Sequence, residues 1–351
     1  MRLRRSDCSG PGLRRVRRGR GFSYLDEHGN VVRDPDTLLR IRKLAIPPAW
    51  RDVWICSDPQ GHLQTTGTDA AGRKQYLYHD LWRARRDREK FDRALRFAKT
   101  LPKLRGAVAE DLEHVGFRRE RVLACAARLL DRGLFRVGSE EYADSDGGIG
   151  LSTIRKEHVR FENGIALFDY PAKSGVRRVQ SIDDPDSVEI LRALKRRRTG
   201  SHDLLAYRNG RRWVDVHADD INDYLKHHMG DAFSAKDFRT WNATVLAAVV
   251  LAVDGQDATT KTARRRAMNA AVREVADVLG NTPAVARRAY IDPRVFDHYQ
   301  AGATIAPALR RLEDVDLERE RTRTRVERAV LRLLAERRLP ARAGRRPERS
   351  R

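Results

Sequence analysis

Between Gly150 and Ile182 the chain reads GLSTIRKEHVRFENGIALFDYPAKSGVRRVQSI, which is the pattern of a small antiparallel sheet. The pair Asn163-Gly164 favours a two-residue hairpin turn, because such turns need positive φ at both central positions. A second turn, PAKSG, precedes the last segment. Apolar and polar residues alternate beside these turns, as in half-buried strands. The stretch therefore predicts three strands joined by two turns, in the order GLSTIRKEHVRF, IALFDY and VRRVQSI.

The segments on both sides of this β island have helical periodicity instead. Upstream, REKFDRALRFAKTL and RERVLACAARLLDRG each place their apolar residues on one face, and Gly133 fits a helix C-cap. Downstream, the spacing of apolar residues predicts helices over 185–197, 217–229, 240–253, 262–279 and 283–290. Residues 86–313 are thus expected to form a mainly helical domain that contains a three-stranded β island.

The first part of the chain has the pattern of short strands. GFSYLDEHGNVV predicts a hairpin, and DVWICSD and HLQTTGTD predict two further strands. Residues 1–20 are Arg-rich and are interpreted as a basic arm, and residues 21–85 as a small β-rich domain. Residues 314–351 predict a charged helix followed by a disordered basic tail. The expected fold class is α+β.

The charge of the chain indicates a polyanionic partner. Lysines and arginines number 71 against 49 aspartates and glutamates, which gives a formal net charge of +22. An excess of this size favours nucleic acid. A membrane is disfavoured, because the longest apolar run, Val245–Val253, is too short to span a bilayer and no basic amphipathic stretch has a wide apolar face.

The cysteines indicate a reducing compartment. Cys8, Cys56 and Cys125 are odd in number and widely spaced, and they form neither a disulfide nor a metal-ligand pattern. The chain also lacks a Gly-rich phosphate loop and a cluster of carboxylates at metal-like spacing. We therefore expect a cytoplasmic protein without a metal or a cofactor.

Several side chains beside turns and helix ends suit phosphodiester chemistry. Metal-free cleavage needs a nucleophile, cations for the non-bridging oxygens and an acid for the leaving alkoxide. The candidates are Arg136 after a predicted helix, Lys173 in the PAKSG turn, Arg239 just before the predicted apolar helix, and Asn281 and Tyr290 in GNTPAVARRAY. Simpler interpretations stay open: a surface arginine, a solvated turn lysine, an N-cap for Asn281 and a packed aromatic for Tyr290.

Six ordered motifs resemble those of the type IB DNA topoisomerases, in the compact form found in poxviruses and bacteria. They are IPPAWRDVWI at 46–55, GTDAAGRKQY at 67–76, FRVGSEEY at 135–142, GLSTIRKEHV at 150–159, KDFRTWNA at 236–243 and GNTPAVARRAY at 280–290, and the resemblance covers roughly residues 20–310. It implies a monomer in the nucleoid that closes as a C-shaped clamp around double-stranded DNA. It also implies relaxation of supercoils without ATP or metal, through a 3′-phosphotyrosyl link.

The same resemblance implies a role for each candidate: nucleophile for Tyr290, binding of non-bridging oxygens for Arg136, Arg239 and Asn281, and general acid for Lys173. Two departures stand out. Many members have His in place of Asn281, and an amide can donate a hydrogen bond but cannot carry a proton or a charge.

The second departure is the lysine turn, which reads AKSG where the family has Gly-Lys-Asp. It leaves Lys156 as an alternative acid, although Lys156 is predicted to lie within a strand. Lys236 is a further candidate that could assist proton transfer or contact DNA.

The segment GRKQYLY resembles the family's DNA-contacting strand. The resemblance places Arg73 and Lys74 on phosphates, Gln75 and Tyr76 at base edges in the major groove, and Tyr78 near the backbone. Alternation leaves another interpretation open, since Tyr76 and Tyr78 share one face of a strand and could both be core residues.

Two other functions fit part of the pattern. A tyrosine site-specific recombinase uses similar chemistry, but the β-rich domain with GRKQY and the FRTWNA form of the second arginine motif disfavour it. A non-catalytic basic nucleoid protein would need only the charge.

Overall fold

The computed structural model describes residues 2–138, 148–172, 175–312 and 314–336. The chain divides into two compact units, Met1–Lys90 and Phe91–Arg351. The first unit is a five-stranded antiparallel sheet with one helix, α1 (Pro35–Lys43). Its strands lie in the order β2-β1-β3-β4-β5 and are β1 (Leu13–Arg18), β2 (Gly21–Leu25), β3 (Arg51–Ile55), β4 (Leu63–Thr68) and β5 (Lys74–Tyr78).

Strand β1 shows that the interpretation of residues 1–20 as a basic arm separate from the β-rich domain is wrong. It pairs with β2 in antiparallel register and with the end of β3. Its Leu13 is buried with Ile41 of α1 and Val53 and Ile55 of β3. The Arg15 guanidinium donates to the carbonyls of Pro47 at 3.1 Å and Trp50 at 2.6 Å. Because Arg15 serves as a structural hydrogen-bond donor, a strand with this many arginines can be part of a folded sheet.

The second unit is mainly helical, and the boundary between the units falls within α2 (Asp80–Leu112). The helices that follow are α3 (Arg119–Gly133), α4 (Pro185–Arg196), α5 (Ala218–Met229), α6 (Ala235–Val253), α7 (Lys261–Leu279), α8 (Pro283–Ala289), α9 (Pro293–Gln300), α10 (Ala306–Leu309) and α11 (Glu320–Ala335). Helix α3 is central to this unit, because all six residues from Val122 to Ala127 are at most 1% exposed. No helix of the described chain is both long and apolar enough to cross a membrane.

The three-stranded β island is confirmed. Its strands β6 (Val159–Glu162), β7 (Ile165–Pro171) and β8 (Arg177–Ile182) form an antiparallel sheet in chain order. The turn between β6 and β7 has φ of 49° at Asn163 and 83° at Gly164, as the sequence requires. The prediction of a strand from Gly150 is wrong, because 151–153 and 156–158 form short 3-10 turns.

Those turns have a local cause. Thr153 exchanges hydrogen bonds with the main chain of Gly150, and His158 Nδ1 accepts from the main-chain N–H of Arg155. Side chains that bond to nearby backbone groups compete with strand pairing in this way. Lys156 therefore lies in a turn and not in mid-strand.

Two further details differ from the sequence predictions. A second hairpin, β9 (Ala206–Asn209) with β10 (Arg212–Asp215), turns at Gly210-Arg211 and was not predicted. The C-cap of α3 is Leu134, with φ of 56°, and not Gly133. A Cβ at Gly133 would lie 2.2 Å from the Phe135 ring, so this glycine permits close packing and does not supply the left-handed cap.

Candidate active site

Arg239 lies inside α6, where the sequence had placed it just before the helix. Helix α6 begins at Ala235 because Ser234 donates its main-chain N–H to the Asp237 carboxylate at 3.0 Å, which is half of a capping box. The side chain of Arg239 is buried, with 4% of its surface exposed. It donates to the carbonyl oxygens of Leu134 and of Leu279, the latter at 2.8 Å. The guanidinium thus joins the end of α3 to the end of α7.

Arg136 and Arg239 share one acceptor, the side-chain oxygen of Asn281. Each guanidinium donates to Asn281 Oδ1 at 3.0 Å, and Arg136 also donates to the carbonyl of Gly280 at 3.3 Å. Because the amide oxygen faces both cations, its NH₂ group remains as the donor of this side chain. The residue that caps α8 is Thr282, whose hydroxyl accepts from the N–H of Val285 at 3.3 Å. The interpretation of Asn281 as the N-cap is therefore wrong.

A small cavity, called the cleft below, is lined by Arg136, Tyr170 and Arg239. A third arginine, Arg178 of β8, lines it as well and was missed by sequence reasoning. It donates to the carbonyls of Asp277 and Val278 at the end of α7, the former at 2.9 Å. In β8 the polar Arg178 and Gln180 face inward, while Val179 is 54% exposed. In a normal half-buried strand the apolar residues face inward, and here Val179 faces outward instead. The hydropathy pattern therefore does not indicate that Arg178 faces the interior.

Among the described residues, the arginines of the cleft have only neutral hydrogen-bond acceptors. Every described hydrogen-bond acceptor of Arg136, Arg178 and Arg239 is a neutral oxygen, either a backbone carbonyl or the Asn281 amide. Burial, with repulsion from Arg136, lowers the pKa of Arg239 to about 10. In the described part of the chain Arg239 Nε also has no hydrogen-bond partner. Buried cations of this kind need an anion, and a bound phosphate would supply it.

Tyr290 lies between α8 and α9 and is 8% exposed. The Arg239 guanidinium carbon is 5.2 Å from the centre of its ring. Burial raises the pKa of Tyr290, but the charges of Arg239 and Arg136 outweigh that effect, and the pKa lies below its ordinary value. A smaller contribution in the same direction comes from Lys236, which is exposed on the first turn of α6. The structure thus brings Tyr290, Arg136, Arg239 and Asn281 into one cluster.

A second tyrosine, Tyr170 of β7, lines the cleft, and its pKa is shifted in the direction opposite to that of Tyr290. Burial raises the pKa of Tyr170 to about 12. Its hydroxyl donates to Gln180 Oε1 at 2.5 Å, and the Gln180 amide donates to the carbonyl of Gly133. The Tyr170 hydroxyl therefore ties the β island to the end of α3 and is held in its neutral form.

Lys173, the predicted general acid, lies outside the described residues. Its neighbours Ala172 and Gly175 belong to the turn between β7 and β8, where Ala172 N–H donates to the Val176 carbonyl at 2.8 Å. The alternative, Lys156, donates to the carbonyls of Arg197 at 3.3 Å and Ser201 at 2.9 Å. Within the described ranges no group of three or more His, Cys, Asp or Glu side chains could hold a metal ion.

The predicted DNA-contact residues lie on or beside β5 in the first unit. Tyr76 and Tyr78 are 44% and 38% exposed and stack on each other, so their interpretation as core residues is wrong. Asp69 orients their neighbours: Arg73 pairs with its carboxylate at 3.0 Å and the Gln75 amide donates to it at 2.9 Å. The Lys74 ammonium lies 5.9 Å from the centre of the Tyr76 ring. This strand presents aromatic, cationic and amide groups together.

Comparisons with known proteins identify the family of this chain. The family model described as the eukaryotic DNA topoisomerase I catalytic core matches residues 79–315, and the one described as the bacterial DNA topoisomerase IB N-terminal domain matches residues 21–69. The DNA topoisomerase 1B of Acanthamoeba polyphaga mimivirus is 31% identical over 295 residues, which are 82% of this chain and 88% of that protein. The DNA topoisomerase 1 of Drosophila melanogaster is 27% identical over 166 residues, 45% of this chain and 16% of that protein. The chain belongs to the type IB DNA topoisomerases.

Proposed function

We propose that Tyr290 is the nucleophile with which this topoisomerase breaks one strand of duplex DNA. In its deprotonated form, its phenolate oxygen forms a bond to the phosphorus while the bond to the 5′-oxygen breaks, which leaves a 3′-phosphotyrosyl link. Lys173 gives a proton to the leaving 5′-oxygen. After the free strand has rotated, the 5′-hydroxyl attacks the link and releases Tyr290. Supercoils are relaxed in this way without ATP, because the link conserves the phosphodiester.

The single observation that carries this proposal is a cluster of arginines, whose described hydrogen-bond partners are neutral, around a tyrosine whose pKa they lower. Arg136 and Arg239, which meet at Asn281 Oδ1, would bind the non-bridging oxygens, where negative charge develops in the transition state. The same two charges favour the phenolate of Tyr290. Arg136 and Arg239 would thus both bind the phosphate and activate the nucleophile.

The amide of Asn281 suits a donor role in this mechanism. Its oxygen is occupied by Arg136 and Arg239, so its NH₂ group is left to face the phosphate. An amide can donate this hydrogen bond but does not ionise, so Asn281 fits the role of an oxygen-binding residue and not that of an acid.

Two substitutions of Asn281 distinguish its two possible roles, which are hydrogen-bond donation to the phosphate by its NH₂ group and acceptance from Arg136 and Arg239 by its oxygen. Asn281→Ala should slow strand cleavage by about 10²–10³-fold, the usual cost of one transition-state donor. Asn281→Asp keeps an acceptor for Arg136 and Arg239 but lacks an N–H and adds a negative charge, so it should be at least as slow as the alanine variant. Single-turnover cleavage of a labelled duplex measures both rates. If Asn281→Asp cleaves near the wild-type rate, the amide contributes only the bridge.

We further propose that the general acid is Lys173. The sequence places it between β7 and β8, and β8 contributes Arg178 to the cleft. The engagement of Lys156 with the carbonyls of Arg197 and Ser201 also supports this choice over the alternative.

The proposed duplex contacts in the first unit are electrostatic and aromatic. Arg73 and Lys74 would bind phosphates, Gln75 and Tyr76 base edges, and Tyr78 the backbone, while Lys236 of the second unit would reach a phosphate near the cleavage site. We also propose that the protein acts on the duplex as a monomer. In the cell, the nucleoid in the cytoplasm is the expected location.

Salt dependence tests the contact made by Lys74. Each phosphate contact adds about −0.9 to the slope of log K against log salt. Lys74→Ala should therefore reduce the slope by about that amount without changing the cleavage chemistry of the bound enzyme. Lys226→Ala is the matched control, since Lys226 is an exposed lysine paired with Asp223 in the second unit. Equal slopes for the wild type and Lys74→Ala would exclude this contact.

Relaxation of a supercoiled plasmid tests the function as a whole. With enzyme at equimolar amounts, EDTA present and ATP absent, we expect a ladder of topoisomers that ends in fully relaxed plasmid. A site-specific recombinase would instead yield recombinant products from paired sites, and a nucleoid protein that only binds DNA would leave the linking number unchanged after deproteinisation. Either of these results would contradict the proposal.

A further inference from the structure

Thr244 of α6 is buried beside the main chain that carries Tyr290. It is 1% exposed and lies on the same helix as Arg239. Its hydroxyl donates to the Thr240 carbonyl at 2.9 Å and lies 3.3 Å from the Tyr290 carbonyl oxygen. The Thr244 hydroxyl oxygen also accepts a hydrogen bond from the main-chain N–H of Asp292 at 3.1 Å. The Thr244 hydroxyl thus contacts the main chain at both Tyr290 and Asp292.

The segment that Thr244 contacts is short and irregular. Tyr290 follows the last residue of α8, and α9 begins at Pro293. On the α8 side, the N–H groups of Tyr290 and Ile291 both donate to the Ala286 carbonyl, at 3.0 Å and 3.2 Å. On the α9 side, the described partner of the Asp292 N–H is the Thr244 hydroxyl. Each end of the segment therefore has its own anchor.

The hydroxyl is well suited to fix this segment. Its bond to the Thr240 carbonyl sets its orientation, so a lone pair faces the Asp292 N–H. Ile291 is fully buried and Asp292 is 2% exposed, so solvent does not replace a lost hydrogen bond readily there. Arg239 contacts the ring of Tyr290 from the preceding part of α6. The helix α6 thus holds both the side chain and the backbone of this residue.

We propose that Thr244 is a positioning residue for the Tyr290 nucleophile, an inference that rests on the function proposed above. The hydroxyl holds the backbone at Tyr290 so that the phenol points at the phosphorus before covalent bonding. Once the phosphotyrosyl link exists, the link itself fixes Tyr290. Loss of the hydroxyl should therefore slow cleavage more than religation.

Single-turnover cleavage and religation of a labelled duplex test this role. Thr244→Val keeps the shape of the side chain and removes the hydroxyl, and it should lower the cleavage rate constant by about 10–100-fold, as expected for a nucleophile misplaced by up to about 1 Å. The religation rate constant should fall less, so the adduct fraction at equilibrium should decrease. Thr244→Ser retains the hydroxyl and should cleave within a few-fold of the wild-type rate.

Thr100→Val is the matched control. Thr100 of α2 also donates its hydroxyl to a carbonyl of its own helix, that of Phe97 at 2.8 Å. Its loss should change neither rate constant. If Thr244→Val does not fold, Thr244→Ala and Thr244→Ser both lack the methyl group, and their comparison isolates the hydroxyl.

The outcomes separate this inference from the proposed function. A Thr244→Val enzyme that cleaves within two-fold of wild type would overturn the positioning role, as would a smaller end point with unchanged rate constants, which reports only a lower folded fraction. Equal loss in Thr244→Ala and Thr244→Ser would overturn it too. If Tyr290→Phe cleaves DNA, the proposed function itself fails, whatever Thr244 does.

Discussion

Tyr290→Phe is expected to abolish plasmid relaxation and covalent adduct formation while duplex binding stays within a few-fold of wild type. The substitution removes one oxygen and leaves the ring in its buried position against Arg239. Without that oxygen no bond to phosphorus can form, so the loss should be complete and not graded. Plasmid relaxation, SDS trapping and a binding titration measure the three properties on one preparation.

Tyr170→Phe is the sharpest control for this result. Both tyrosines lie at the cleft, but burial raises the pKa of Tyr170 to about 12, whereas the arginines bring the pKa of Tyr290 below its ordinary value. The Tyr170 variant should still form the adduct, with its main cost in the lost hydrogen bond to Gln180. Normal adduct yield from Tyr290→Phe together with none from Tyr170→Phe would reverse the assignment.

Lys173→Ala should cleave ordinary DNA about 10²–10⁴-fold more slowly than wild type, the usual contribution of general acid catalysis. The acid is needed because an alkoxide is a poor leaving group. If sulfur replaces the bridging 5′-oxygen at the cleavage site, the leaving thiolate needs no proton. On that substrate Lys173→Ala should recover to near the wild-type rate.

Other variants give the contrast. Arg136→Ala and Arg239→Ala should stay slow on the sulfur substrate, because they act on the non-bridging oxygens. Lys156→Ala and Lys236→Ala should show no selective rescue. If sulfur rescues either of these lysine variants but leaves Lys173→Ala slow, the general acid has been assigned to the wrong residue.

The elements that the sequence predicted well are those whose pattern repeats. The helical segments carry apolar residues on one face, and the Asn163-Gly164 turn has a backbone requirement that few other residue pairs meet. Strand β1 was missed because LRRVRR has only two apolar residues. Its Arg15 donates hydrogen bonds to the carbonyls of Pro47 and Trp50, which precede β3. Local composition indicated a basic arm, whereas strand pairing and hydrogen bonds to distant residues make a strand of residues 13–18.

The site shows a similar division. Tyr290, Arg239 and Asn281 stand in motifs with a recognisable order, so the sequence could propose them together. Arg178 and Thr244 act through backbone groups of residues far away in the chain, such as Asp277 and Asp292. A contact of this kind leaves no periodicity and no motif in the sequence, and it becomes visible only when α6, α7 and β8 are assembled.

Peptide mapping of the trapped adduct tests the central claim most directly. The enzyme is mixed with duplex DNA labelled at the 5′ end of the scissile strand, and the reaction is stopped with SDS. One portion is run on a denaturing gel undigested to follow the label, and the other is digested with nuclease and trypsin to identify the modified peptide. The label should migrate with the protein, since a 3′-phosphotyrosyl link retains the 5′ part of the strand, and the modified peptide should be Ala289–Arg294 with the nucleotide on Tyr290. Transfer of a 3′-end label instead, or a nucleotide on a peptide that lacks Tyr290, would contradict the proposed mechanism.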